Sequence, residues 1–155
     1  MSCQESFCLP TIIVDSRENK PYAFRKSKNC AGCEIGKLDY GDYQIKDMPD
    51  LIAIERKQNI TELCGNLGKN RKRFERELER MSAAKFRYVI VEDYWSSIWR
   101  AHYTRMHPNS IFQSIISLEL KYGVHFIFAG TREMAHQITR SLLLKSFKYR
   151  MDGKI

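Results

Sequence analysis

L-D-Y-G-D-Y-Q-I-K-D-M-P-D-L-I-A-I-E-R-K, residues 38–57, places a lone carboxylate, Asp42, directly after a glycine. A turn signal follows at Lys46 to Asp50, and an apolar run then ends in Glu55-Arg56-Lys57. Strand residues two apart share a face, so Glu55 and Lys57 point one way and Arg56 the other. A hairpin through the turn brings Asp42 back to the same end as Glu55. Two carboxylates and an ammonium at one strand end are the parts needed to hold Mg²⁺ and activate a water against a phosphodiester.

The 155 residues suit one domain with its own core, and the hydrophobic fraction of 43% argues for a folded globule. A formal charge of +8, from 26 basic against 18 acidic residues, suits a polyanionic partner. Solvated basic surfaces are also common, so charge alone leaves both readings open. No apolar run approaches the roughly 18 residues of a membrane span, and no signal peptide is visible. Five cysteines are an odd count that reads as reduced intracellular thiols.

Along the chain, the β-branched run Thr11–Val14 predicts a buried strand ending in the polar cluster Asp15-Ser16-Arg17-Glu18, where α/β folds tend to place chemistry. Alone, that cluster reads equally as a turn with solvated charges. Residues 19–31 suit loop or short irregular helix. Strands are expected at 34–38, 43–45, 51–56, 87–91 and 124–128. Helical periodicity runs from Asn59 to Ala84 with a break at Gly68-Lys69-Asn70, and Phe74, Leu78 and Met81 form its inward stripe. The Arg and Glu residues opposite make a salt-bridged solvated face. The less balanced cluster Lys69, Arg71, Lys72 and Arg73 is the candidate phosphate contact. Ile111 to Tyr122 carries two apolar stripes, an arc wide enough for two neighbours or a subunit interface, and Gly123 closes it. Thr131 is a natural N-cap for a last helix to about Tyr149, with Met134, Ile138 and Leu142 inward. Strands alternating with helices predict an α/β core whose central sheet the hairpin makes mixed.

Cys3 and Cys8 (C-x₄-C) with Cys30 and Cys33 (C-x₂-C) permit a structural Zn²⁺ site without being diagnostic, free thiols being the default. Cys64 reads as packing. Histidines 102, 107, 125 and 136 show no ligand spacing, and no Gly-rich phosphate loop, G-x-S-x-G or H-E-x-x-H is present.

V-D-S-R-E at 14–18, G-D-Y at 41–43 and I-E-R-K at 54–57 together resemble the nuclease domain of XPF-type structure-selective endonucleases, part of the PD-(D/E)XK superfamily. R-Y-V-I-V-E-D at 87–93, H-P-N-S-I at 107–111 and Y-G-V-H-F-I-F-A-G-T at 122–131 fall where that family has its later strands and interface helix. The resemblance implies a restriction-endonuclease-like α/β fold over residues 11–149, an N-terminal extension at 1–10 and a tail at 150–155. It implies Mg²⁺ or Mn²⁺ as cofactor, with Asp42 and Glu55 as metal carboxylates and the Arg56 carbonyl as a further ligand. Lys57 would orient or activate the attacking water. Asp15 and Glu18 would line the same site, Asp15 also near the metal, and Arg17 and Arg56 would steady the site or meet phosphate.

The family pattern usually has an aspartate four residues after the lysine; here Thr61 stands there, expected to cap the next helix, with Glu62 beside it. The family's tandem helix-hairpin-helix domain does not follow in this sequence, which resembles the compact bacterial and phage-encoded branch and implies an intracellular setting, bacterial cytoplasm or nucleus. The implied activity is cleavage of branched, flap or junction DNA, as a homodimer through the Ile111–Tyr122 and C-terminal helices. The alternative is a catalytically silent DNA-binding partner subunit; such subunits have lost motif acids, whereas Asp15, Asp42, Glu55 and Lys57 all stand here.

Overall fold

The computed structural model describes residues 8–100 and 105–155, so Cys3, His102, Tyr103 and most of the N-terminal extension lie outside the described residues. Strands β1 (Thr11–Asp15), β2 (Gly32–Gly36), β3 (Tyr43–Ile45), β4 (Ile52–Lys57), β5 (Phe86–Val91) and β6 (His125–Phe128) form one sheet in the order β2-β1-β3-β4-β5-β6. β3 runs antiparallel to both β1 and β4, while β1/β2, β4/β5 and β5/β6 are parallel, so the sheet is mixed as expected. β2 begins and ends two residues earlier than its pattern suggests. It is registered from Thr11↔Gly32 to Asp15↔Gly36, and the Ser16 N–H closes it on the Gly36 carbonyl.

Helices α1 (Ile60–Leu67), α2 (Arg71–Met81) and α3 (Pro108–Tyr122) cover one face, and α4 (Arg132–Met151) covers the other. The alternation of β4 divides the core. Ile52 and Ile54 pack toward α4, and Ala53 packs toward α1–α3. Residues 19–31 form no helix; Tyr22, Phe24 and Cys30 drop from this segment into the α4-side core. Cys64 is buried in the other, as packing.

The α2 stripe of Phe74, Leu78 and Met81 is buried as its spacing predicts. In α3, Ile111, Ile115 and Leu118 fill this chain's own core and Phe112 packs against Trp95 and Trp99, so most of the wide arc is satisfied internally; Leu120 stays exposed. Gly123 ends α3 in the left-handed region at φ 60°.

Two expectations are corrected. The cap of α1 is Asn59, whose Oδ1 accepts the Glu62 N–H at 2.9 Å, and Thr61 is an exposed residue of the first turn. In α4 the buried stripe is Ala135, Thr139 and Leu143, one residue on from the one expected. Small Ala135 and Thr139 let the helix close onto the sheet. Met134, Ile138 and Leu142 are thereby displaced to the flank, where with Phe86, Tyr88 and Tyr149 they line an open apolar groove of about 630 Å³. Among the described residues no helix is long and apolar enough to cross a membrane.

Candidate active site

Three main-chain contacts bring the motifs together. The Asp15 N–H donates to the Asp42 carbonyl at 2.8 Å, and the Asp42 N–H donates to the Ile54 carbonyl at 2.7 Å. The Arg56 N–H then donates to the Asp42 carboxylate, Oδ2, at 2.8 Å. Gly41 makes this approach possible. It sits at φ +71°, and a Cβ there would lie 3.2 Å from the Ile54 carbonyl oxygen.

Glu55 and Lys57 share the face opposite Arg56, and Lys57 Nζ donates to Glu55 Oε1 at 3.0 Å. With Asp42 they line a polar cleft of about 340 Å³. Burial, then the charge of Glu55, pushes the Asp42 carboxyl up to about 8. Burial also raises Glu55, against the opposing pull of Lys57. Burial works against the Lys57 charge, yet Glu55 outweighs it and holds the ammonium above its ordinary value. Lys57 Nζ also lies 4.9 Å from the centre of the Phe74 ring, which supports its charge from α2.

The other sequence-predicted residues divide. Asp15 is buried, but Arg17 Nε and the Arg17 N–H reach its Oδ1 at 3.1 and 3.0 Å and Arg17 Nη2 reaches Oδ2 at 2.7 Å. Burial alone would raise the Asp15 carboxyl; these hydrogen bonds and the Arg17 charge hold it below its ordinary value. Its carboxylate is paired with Arg17 while the residue lines the same cleft as Asp42 and Glu55, and no group of three His, Cys, Asp or Glu suited to a metal forms among the described residues. Arg17 itself also donates to the Leu38 carbonyl at 2.8 Å and stands at the cleft mouth.

Arg56 lies behind the cleft, on the α4 face, with Nη1 3.0 Å from Glu18 Oε1 and Nε 2.6 Å from Glu92 Oε1. Glu92 also accepts from the Tyr22 hydroxyl at 2.5 Å, and Tyr22 stacks on His136. Burial would raise the Glu92 carboxyl, but Arg56 and the Tyr22 hydroxyl hold it low. The Glu18 carboxylate and the Arg56 guanidinium thus brace β4 from the far side, while the Arg56 main-chain N–H reaches Asp42 in the cleft. Sequence reading missed Glu92; its signal was an acid pair ending β5, which reads there as a strand end.

Of the basic cluster, Lys69 and Lys72 are exposed. Arg73 lines the cleft while pairing with Glu77 at 3.6 Å. Arg71 turns inward, to Glu75 at 3.2 Å and Ser114 Oγ at 3.0 Å on α3. Arg80, read from the sequence as part of the salt-bridged solvated face, joins Arg73 at the cleft, as does Glu62. The zinc alternative is not assembled among the described cysteines: Cys30 is buried, with its Sγ accepting the Gly32 N–H at 3.4 Å, while Cys8 and Cys33 are exposed.

A divalent ion suits the donor set of the cleft. Asp42 and Glu55 are hard oxygen donors facing one charge-rich cleft, and the pressure that raises Asp42 is what a cation relieves.

A family model described as the ERCC4 domain matches residues 14–142. Among solved structures, XPF from Aeropyrum pernix superposes with a TM-score of 0.68 at 21% identity, covering 94% of this chain and 69% of that one. XPF from Aeropyrum pernix in complex with DNA gives a TM-score of 0.66 at 21% identity, over 90% of this chain and 66% of that one. None of the curated proteins matches the chain in sequence. The structural likeness extends across the mixed sheet and its flanking helices. The family match spans the Asp15 turn, the Asp42–Glu55 hairpin and all later strands, and the chain belongs to the ERCC4 domain family.

Proposed function

We propose that the chain is a divalent-metal-dependent DNA endonuclease that hydrolyses phosphodiester bonds, selective for branched, flap or junction DNA, in repair, recombination or phage genome processing inside a cell. The observation that carries this reading is the cleft in which Asp42, Glu55 and Lys57 converge. Asp42 and Glu55 would hold Mg²⁺ or Mn²⁺, with the Arg56 carbonyl as a further ligand. When bound, that ion supplies Lewis-acid polarisation and a lowered water pKa. Lys57, held protonated by Glu55, donates a hydrogen bond that orients the attacking water or offsets charge on the phosphate; its raised pKa argues against a general-base role. Arg17, Arg73 and Arg80 stand where flanking phosphates would lie and carry no base-edge readout, so binding is sequence-blind and salt-sensitive.

Pairing of two copies belongs to the same reading. The apolar groove beside α4, together with exposed Leu120 on α3, offers the surface, and light scattering at micromolar concentration tests it.

The deciding assay is cleavage of labelled flap, fork and duplex DNA with Mg²⁺ or Mn²⁺, comparing the wild type with Asp42→Asn and Lys57→Ala. Cleavage lost in both variants supports the reading. DNA binding without cleavage in any metal makes the chain a silent partner subunit instead.

A further inference from the structure

Outside the residues that line the cleft, three partly exposed aromatic rings stand on one short segment. Tyr94 is 53% exposed, Trp95 36% and Trp99 56%. They sit on and beside a 3-10 turn, Trp95–Trp99, that follows β5. Several contacts hold the segment. Ser97 Oγ donates to Asp93 Oδ1 at 2.5 Å, and Ile98 is fully buried. Trp95 packs on Phe128 with ring centres 4.1 Å apart, and Trp99 on Phe112 at 5.6 Å. Tyr94 lies across Gly130, where a Cβ would come within 2.7 Å of its ring.

The same segment is tied to the cutting strand. The Glu92 N–H donates to the Lys57 carbonyl at 2.9 Å, and the Ile60 N–H at the start of α1 donates to Asp93 Oδ2 at 3.0 Å. The aromatic ledge therefore keeps a fixed place relative to Lys57.

The geometry points to a base-stacking platform that takes unpaired nucleobases from the single-stranded arm of a branched substrate. This deepens the nuclease reading and rests on it. Exposed flat rings offer stacking faces that duplex bases, already stacked on each other, do not need. The charges around the ledge favour a polyanion: Arg100 and Arg105 are exposed, whereas Asp93 is occupied by Ser97 and two main-chain N–H groups. A ledge that accepts any base selects for strand state rather than sequence, which is the discrimination a structure-selective nuclease requires.

The chain has two tryptophans, Trp95 and Trp99, so its tryptophan emission reports on this ledge alone. The full chain is titrated in EDTA with an oligothymidylate of about twenty nucleotides, an abasic strand of equal length, and a duplex. Base-dependent quenching is expected: thymidylate quenches and the abasic strand does not. Trp99→Ala should weaken single-strand binding roughly five- to hundredfold while duplex binding holds, and Trp99→Phe should recover most of it. Tyr94→Ala, on the rim, serves if Trp99→Ala unfolds. Equal quenching by the abasic strand, unchanged affinity in folded variants, or an altered oligomeric state by light scattering each overturns the platform. Fork cleavage with Mg²⁺ is measured in parallel. Base-dependent quenching without cleavage sinks the nuclease reading alone, and cleavage without it sinks the platform alone.

Discussion

Arg56 donates its main-chain N–H to the Asp42 carboxylate at 2.8 Å, and its guanidinium crosses to the opposite face to meet Glu92 at 2.6 Å. One residue therefore links the cleft to the α4-side core. Period-two alternation on β4 makes this possible: residues 55 and 57 enter the cleft while 54 and 56 face α4. The Asp42 side chain is positioned by backbone, which mutation of neighbouring side chains leaves intact.

Asp42→Asn should abolish metal-dependent cleavage and also change the pH dependence of stability. In the metal-free protein the Asp42 carboxyl is raised from 3.8 to about 8, so the native state binds the extra proton between those values. Its contribution to stability is present below the ordinary carboxylate range and is lost as pH rises toward 8. The held-low carboxyls of Asp15 and Glu92 act in the other sense, losing stability only below about pH 4. Denaturant melts in EDTA should therefore show stability declining from pH 5 to 8 in the wild type and a flatter profile in Asp42→Asn. An unchanged slope in the variant rules out Asp42 as its source.

Lys57→Ala removes the ammonium 3.0 Å from Glu55 and leaves that carboxylate without its partner. Cleavage should fall by at least about a hundredfold with DNA affinity within a few fold, since the lost interaction serves the reacting phosphate. Fluorescence anisotropy beside a cleavage time course separates the two. A parallel loss of binding would mean that Lys57 grips the backbone instead.

Much of this arrangement was legible from residues 38–57, because strand alternation and a turn signal are local features. The α4 face was not. Met134, Ile138 and Leu142 carry more hydropathy than Ala135, Thr139 and Leu143, yet close approach to the sheet favours the smaller side chains. The brace of Arg56 on Glu92 was equally hidden, since it joins β4 to the residue just after β5, and no local pattern encodes the pairing of those two strands. Arg71 looked like its neighbours in a basic run, and only the packing of α2 on α3 turns it to Ser114.

Arg56→Lys tests that brace. A lysine cannot reach Glu18 and Glu92 together in fork geometry, so at least one nearly buried carboxylate loses its contact to residue 56. Stability at pH 7 should fall by about 3–5 kcal/mol. Chemical denaturation reads this directly, and Glu92→Gln should cost less because it leaves a hydrogen-bonding group behind. A melt within about 0.5 kcal/mol of wild type for Arg56→Lys argues that the network carries no net stability.

Gly41→Ala places a Cβ at positive φ, 3.2 Å from the Ile54 carbonyl oxygen that accepts the Asp42 N–H. The strain should cost about 1–3 kcal/mol and displace Asp42 from Glu55. Cleavage should drop more than stability predicts, which an assay well below the melting temperature reveals. If cleavage merely tracks the folded fraction, the hairpin tolerates the shift.

Arg73→Ala and Arg80→Ala test whether the cleft's outer arginines meet phosphate. Both line the cleft from α2, and Arg73 is largely exposed despite its 3.6 Å pairing with Glu77. An exposed pair of that length contributes little to folding, so each variant should melt close to wild type. If each arginine neutralises one phosphate, the slope of log affinity against log salt should become less steep by about 1 per variant, additively in the double variant. The loss should be uniform across DNA sequences, because phosphate contacts carry no base identity. Affinity measured from 50 to 300 mM salt on two unrelated fork sequences decides the matter. An unchanged slope removes these arginines from the interface and shifts attention to exposed Lys69, in the turn before α2, and exposed Lys72, in its first helical turn.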